Sequence, residues 1–457
     1  MSASRIDRAD ITRWIKAHRA SFESDLRELV EIPSISMDPS RKGDIARCAE
    51  AAAAQIRAAG GTAEILTTAA NPVVNGAFLC DPAFPTVTIY NHMDVQPADE
   101  PTWRQDPFRM SITNGTYGGR GTTDDKGPAL TALHAARYAN EKGIPLNIRF
   151  LWELEEEIGS PSFDGCLKAH AKKMPTNSVV VSDTVWIARG KPAVSTGLRG
   201  MVTALLSLET GCEDRHSGLV GGLARNPLAE LAEVIAGCVD ARSGKVLIEG
   251  FYKNVQKPKK AELDGFLASG FRTSEFQKVH GFKSLRTKDH KAGAAAIWAL
   301  PTFEVHGITG GYQGPGVKSV VPPRGEVKVS MRLVPNQTPD EALRLLTRHV
   351  KKLNKDVVVK GQHGLLPYRG PSDGPLADAA VEALRFAFGR KPAFVREGGS
   401  IGAVVTMQQR LKCPIMFIGL SLPEHGYHAP NENYDWEQAS GGMVAFTRYF
   451  EQLAEQR

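Results

Sequence analysis

Residues Ser178–Ser182 read Ser-Val-Val-Val-Ser, three successive apolar β-branched residues with no polar position to turn toward water. A strand of this kind has to be covered on both faces, the situation of a strand inside a parallel sheet flanked by helices. Two more segments fit the same sheet: Pro85–Tyr90, where Val87 and Ile89 alternate with threonines, and Asn147–Trp152. Helical patterns surround them. Ile11, Ile15, Phe22, Leu26, Leu29 and Val30 recur at helical spacing up to Pro33, and Asp44–Ala59 ends at Gly60-Gly61. Strands alternating with helices predict an α/β domain with a mostly parallel sheet.

After Gly197 the texture changes. The pattern predicts strands at Met201–Leu208, Thr302–Val305, Gly325–Leu333 and Lys355–Lys360, with helices at Pro227–Cys238 and Asp340–Lys352. That order is the pattern of an α+β layer with an antiparallel sheet. The polar segment Tyr368–Pro375 reads as a return crossing, after which the helix Leu376–Phe388, the strand Cys413–Leu420 and the helix from Trp436 resume the first texture. The expectation is a catalytic domain in two parts, 1–196 and 370–457, with an inserted lid and dimerisation domain at 197–369. At 457 residues the chain is also long for a single core.

Composition narrows the function classes. A net charge of +6 is spread over scattered lysines and arginines, without the dense stripe that nucleic-acid binding requires. No stretch approaches the ~20 apolar residues of a membrane span. The six cysteines lack any Cys-x-x-Cys spacing, which suits reduced thiols, and the expectation is a soluble cytoplasmic protein.

Chemistry-bearing residues gather where strands end. His92 and Asp94 follow Pro85–Tyr90 and, two apart in extended backbone, project to one side. They suit a metal-binding imidazole beside an orienting carboxylate, or a turn with a satisfied histidine. Glu153, Glu155, Glu156 and Glu157 follow the Asn147–Trp152 strand, as a solvated charge run or as a ligand beside a general base. Asp183 follows the valine strand, His428 lies in the loop before the last helix, and Asp124-Asp125 stands at a loop-to-helix junction where a carboxylate also serves as an N-cap. Singly, each fits an ordinary loop residue. Jointly, two histidines and several carboxylates at one sheet edge suit zinc or manganese.

These segments, in this order, resemble the dinuclear metal-dependent exopeptidase and deacylase family that includes carnosine dipeptidases, glutamate carboxypeptidases and aminoacylases. The resemblance runs from Leu29-Val30-Glu31-Ile32-Pro33-Ser34 to the last helix and is strongest to the cytosolic dipeptidase branch. It implies two divalent metal ions per subunit, zinc or else manganese. His92 and Asp183 would bind one ion, Glu157 and His428 the other, and Asp124 would bridge them across a cis Asp124–Asp125 peptide. Asp94 would hold the His92 ring, and Glu156 would be the general base. In the inserted domain His216, in Arg-His-Ser-Gly, resembles a histidine that reaches the active site of a partner subunit, which implies a homodimer. Ser319 resembles a second group acting from the partner, in a place where threonine is usual. Arg332, His363 and Ser400 resemble groups that bind the substrate. In this family aspartate at the Asp183 position accompanies dipeptidases, so the implied activity is hydrolysis of dipeptides or similar small peptides. The alternative is an N-acyl-amino-acid amidohydrolase. Neither a nucleic acid nor a membrane is an expected partner.

Overall fold

The computed structural model describes residues 6–362 and 364–456. Its largest sheet has six strands in the order Thr62–Leu66, Val73–Phe78, Asn147–Glu153, Thr86–His92, Ser178–Val181, Ile415–Phe417. The last four run parallel to one another, and the first two join them as an antiparallel pair. Successive strand residues point to opposite faces, and here they enter two different cores. Ile89, Phe150 and Val180 pack with the helices Arg19–Val30, Lys126–Glu141 and Trp436–Glu455. Tyr90, Leu151, Val179 and Val181 pack on the other face with Phe163, Leu167, Val404 and Met407. The valine run is buried throughout because helices lie on both sides of it.

A second sheet orders its four strands Thr302–Gly310, Arg324–Leu333, Gly200–Glu209, Val358–Gly361, all antiparallel. Its core is separate: Val202, Ala204, Leu206 and Leu208 meet Leu231, Val234, Leu346 and Val350 from the helices Pro227–Cys238 and Pro339–Leu353. Both helices start as their sequences dictate. Asn226 and Thr338 cap free N–H groups, each followed by a proline in the first turn, where the missing N–H costs nothing. The fold is thus α/β with an inserted α+β unit. The chain leaves the first layer at Ala193–Leu198 and returns at Tyr368–Arg369, and these two segments pair with each other.

Three local differences from the sequence pattern have physical causes. The first helical stretch is broken at His18, whose ring stacks on Trp14 with centroids 3.9 Å apart and reaches the Trp14 carbonyl at 2.8 Å, competing with the backbone ladder. Val73–Phe78 is a strand that no clear alternation announces, since all six residues are buried. Within the inserted stretch, the helices Lys260–Ala268, Thr273–Val279 and His290–Trp298 were not anticipated. Phe266, Phe271, Ala294 and Trp298 join the first core against Val194 and Val395. No helix among the described residues is long and apolar enough to cross a membrane.

Candidate active site

The parallel strands all end on one rim, where open α/β sheets carry their sites. His92 closes the strand Thr86–His92, the Glu156–Ile158 turn follows Asn147–Glu153, and Asp183 follows Ser178–Val181. Asp94 ties two of these together. Its main-chain carbonyl lies 2.9 Å from His92 Nδ1, with Oδ1 at 3.5 Å. Its carboxylate accepts the backbone N–H groups of Glu156 and Glu157, each at 3.1 Å. The ring is therefore held mainly by the backbone of Asp94, and the side chain fixes the glutamate turn.

Asp124 occupies the centre. Its Oδ1 lies 3.0 Å from His92 Nε2 and its Oδ2 lies 3.0 Å from His428 Nε2. Glu157 Oε2 is 3.2 Å from the same His428 nitrogen, and Asp183 Oδ2 is 3.9 Å from His92 Nε2. The Asp124–Asp125 peptide is cis. His92, Asp124 and Glu157 bring one donor atom each within 4.8 Å of one another, and so do His92, Asp125 and Asp183. Asp125, which the sequence also offered as a helix N-cap, stands at the cap position without a side-chain cap bond and lines the same space, with Oδ2 accepting from Asn91 at 2.7 Å.

The electrostatics call for positive charge. Burial pushes Asp183 up to about 7 and Asp125 well above the carboxylate range, and the surrounding carboxylates add to both shifts. Asp125 Oδ1 is buried without a hydrogen-bond partner, and Asp124 Oδ2 faces only the His428 ring. Buried carboxylate oxygens and imidazole nitrogens that converge in this way make a donor set that fits divalent cations. Beside them, no hydrogen bond among the described residues engages the Glu156 carboxyl. Burial, with Asp183 and Glu157 close by, raises its proton affinity well above the ordinary value against the pull of His92.

The loop that carries Asp124 is shaped by Glu432, which sequence reading passed over. Its carboxylate is wholly buried and accepts Arg120 Nη1 at 2.8 Å and the N–H groups of Gly121, Thr123 and Asp124 at 3.0, 2.9 and 3.1 Å. Gly121 has φ of 87°, and a Cβ there would meet Val95 Cγ1 at 2.7 Å, so the turn requires glycine. Lys126, fully buried, donates to the carbonyls of Leu29 at 2.8 Å and Ile32 at 3.1 Å at the end of the second helix.

The remaining expected residues fall into two groups. Arg332 Nη1 donates to Ser400 Oγ at 2.9 Å, and Ser400 in turn donates to the Arg199 carbonyl. Burial, helped by neighbouring Arg332, lowers Arg199 to about 10, so two guanidinium groups sit close together there. Arg199 was not anticipated. His216 and Ser319 lie beside each other on the inserted unit, where Arg215–His216 pairs with Val320–Val321. Both are exposed, His216 Nδ1 accepts the Gly218 N–H at 2.9 Å, and no hydrogen bond among the described residues joins either side chain to the cluster. His363 lies outside the described residues.

Fold and cluster together place this protein among the metal-dependent hydrolases. More specifically, the chain belongs to peptidase family M20/M25/M40, whose model matches residues 88–452. It is 30% identical to the Cys-Gly metallodipeptidase dug1 of Schizosaccharomyces pombe, over 96% of this chain and 97% of that one. The crystal structure of human carnosine dipeptidase 1 superposes with a TM-score of 0.86 at 28% identity, covering 98% of both chains. The M20 family metallo-carboxypeptidase Sso-CP2 of Sulfolobus solfataricus gives 0.87, also at 28% identity, over 95% of this chain and 99% of that one.

Proposed function

We propose that this metallopeptidase is a dipeptidase, cleaving the amide bond of dipeptides or similar small peptides with two divalent cations. The observation that carries the reading is Asp124, whose two oxygens each face a different histidine at 3.0 Å, as a carboxylate shared by two ions would. His92 and Asp183 would hold one ion, Glu157 and His428 the other. The mixed nitrogen and oxygen donors suit zinc, with manganese as the alternative. When bound, the pair supplies an acidified water and a polarised carbonyl. Glu156, unengaged and of raised proton affinity, takes the proton of the attacking water and returns it to the leaving amine. Arg332 with Ser400, and His363, hold the carboxylate end of the substrate, Arg332 as a two-pronged donor. The dipeptidase names of the S. pombe and human relatives favour free dipeptides over N-acyl amino acids.

The working unit is a homodimer with His216 and Ser319 contributed from the second copy, the stretch 197–369 acting as lid and dimerisation domain and 1–196 with 370–457 as catalytic domain. Near His216 the side chains of Leu219, Leu223 and Val317 are 85, 93 and 96% exposed, apolar surface that a partner would cover. Six free cysteines suit a cytoplasmic location.

The activity is tested by stripping the protein of metal, restoring zinc or manganese, and assaying free dipeptides beside their N-acetylated forms. Turnover of free dipeptides that returns with metal is the expected result, and turnover of the acetylated forms alone would move the protein to the amidohydrolases. The dimer is tested by mixing two variants. His216→Ala and Glu156→Ala should each be nearly inactive. Random reassociation of a two-fold dimer should restore up to about a quarter of wild-type activity, because half the dimers carry one complete site. No recovery, with subunit exchange verified, would place His216 in its own subunit's chemistry or outside it.

A further inference from the structure

Tyr427 precedes His428 in the loop after Ile415–Phe417, and its hydroxyl lies 3.3 Å from Asp183 Oδ1 and 3.3 Å from Ser421 Oγ. An ionised carboxylate only accepts, so the Tyr427 hydroxyl donates to Asp183, with Ser421 Oγ the second acceptor beside it. Ser421, which also reaches the Thr123 carbonyl at 3.2 Å, takes the Thr123 hydroxyl at 2.8 Å. Thr123 in turn lies 3.1 Å from His425 Nδ1, and His425 Nε2 is 3.0 Å from Asp435, which Arg189 holds at 2.7 Å. This hydroxyl cluster is anchored on the loop that carries Asp124. The oxygen that Tyr427 engages is not the one turned toward the metal space. Oδ1 faces the phenol, and Oδ2 faces His92 Nε2 at 3.9 Å.

We infer that Tyr427 is a positioning residue that holds Asp183 by Oδ1, so that Asp183 offers Oδ2 alone to the cation it shares with His92. The inference rests on the reading of Asp183 as a ligand and goes beyond it. A ligating carboxylate free to rotate loses orientation, and removal of such an outer partner typically lowers metal affinity about 10–100-fold. The Tyr427 ring lies 26° from the plane of His428 with centroids 6.4 Å apart, a packing that phenylalanine preserves.

The test is calorimetric titration of the metal-stripped full chain with zinc, for wild type, Tyr427→Phe, Asp183→Asn and the double variant, with the melting temperature of each metal-free protein. Asp183→Asn should weaken one of the two binding steps. Tyr427→Phe should weaken that same step about 10–100-fold, leave the other step and the metal-free melting temperature at wild type, and add nothing in the Asp183→Asn background. A Tyr427→Phe protein with both steps at wild type, while Asp183→Asn loses one, overturns the inference alone. Equal weakening of both steps, or an added loss in the double variant, overturns it as well, since the hydroxyl would then act elsewhere. An Asp183→Asn protein with both steps intact overturns the ligand reading and the inference with it.

Discussion

Glu156→Ala should lower kcat for a free dipeptide by about 10²–10⁴-fold, the range for losing a positioned general base, with both metal equivalents retained. The argument is geometric. Asp94 accepts the Glu156 N–H and fixes the turn through the backbone, so truncating the side chain leaves the turn and the Glu157 beside it in place. What is lost is a carboxyl that no hydrogen bond among the described residues engages. Burial leads in raising its proton affinity, and Asp183 and Glu157 reinforce it, the direction a general base needs. Glu156→Gln, equal in size and unable to take the proton, should fall as far as the alanine variant with KM little changed, the signature of an interaction made only in the transition state. Steady-state kinetics with metal analysis decide it. A kcat near wild type in the glutamine variant would assign the base to another carboxyl.

The parts of this site legible in the sequence are those that local rules place. Apolar strands announce themselves, and a polar residue directly after one must stand on the sheet rim, which is how His92, Asp183 and the Glu156–Glu157 pair could be read from residue order alone. The role of Asp94 was half visible: period-two geometry put it beside His92, but its grip on two N–H groups 62 and 63 residues away has no local trace. Glu432 was hidden for the same reason. Its four donors lie more than 300 residues earlier, and nothing in Ala-Pro-Asn-Glu distinguishes a buried acceptor from a solvated loop acid. The helices of 260–298 escaped because they bury only a few aromatic and small residues each, against strands remote in sequence, so their periodicity stays weak. His216 and Ser319 were legible only through family resemblance, since within one chain both remain on an exposed surface.

Glu432→Ala should carry the largest stability loss of any single substitution near the site, about 3–5 kcal/mol, the usual cost of removing one partner from a buried ion pair. Arg120 and Glu432 are 1 and 0% exposed, and the guanidinium would be left charged in a space water does not reach. Its other contacts, a hydrogen bond to the Pro97 carbonyl at 3.1 Å and the Trp103 ring at 5.3 Å, do not neutralise it. Three backbone donors, on Gly121, Thr123 and Asp124, lose their acceptor at the same time, and a buried N–H without a partner adds its own cost. The loss should therefore be visible both as a lower urea midpoint of the metal-free protein and as weakened binding of both cations, because the loop so released is the one that presents Asp124. Replacing the pair together, as Glu432→Leu with Arg120→Met, separates the two effects. Apolar partners of similar volume should recover much of the stability, as they do where buried ion pairs are replaced whole. They cannot restore an acceptor to the Asp124 N–H, so metal binding should stay impaired. A double variant that recovers both would show that Glu432 serves Arg120 alone; one that recovers stability without metal affinity would establish it as the group that shapes the bridging loop.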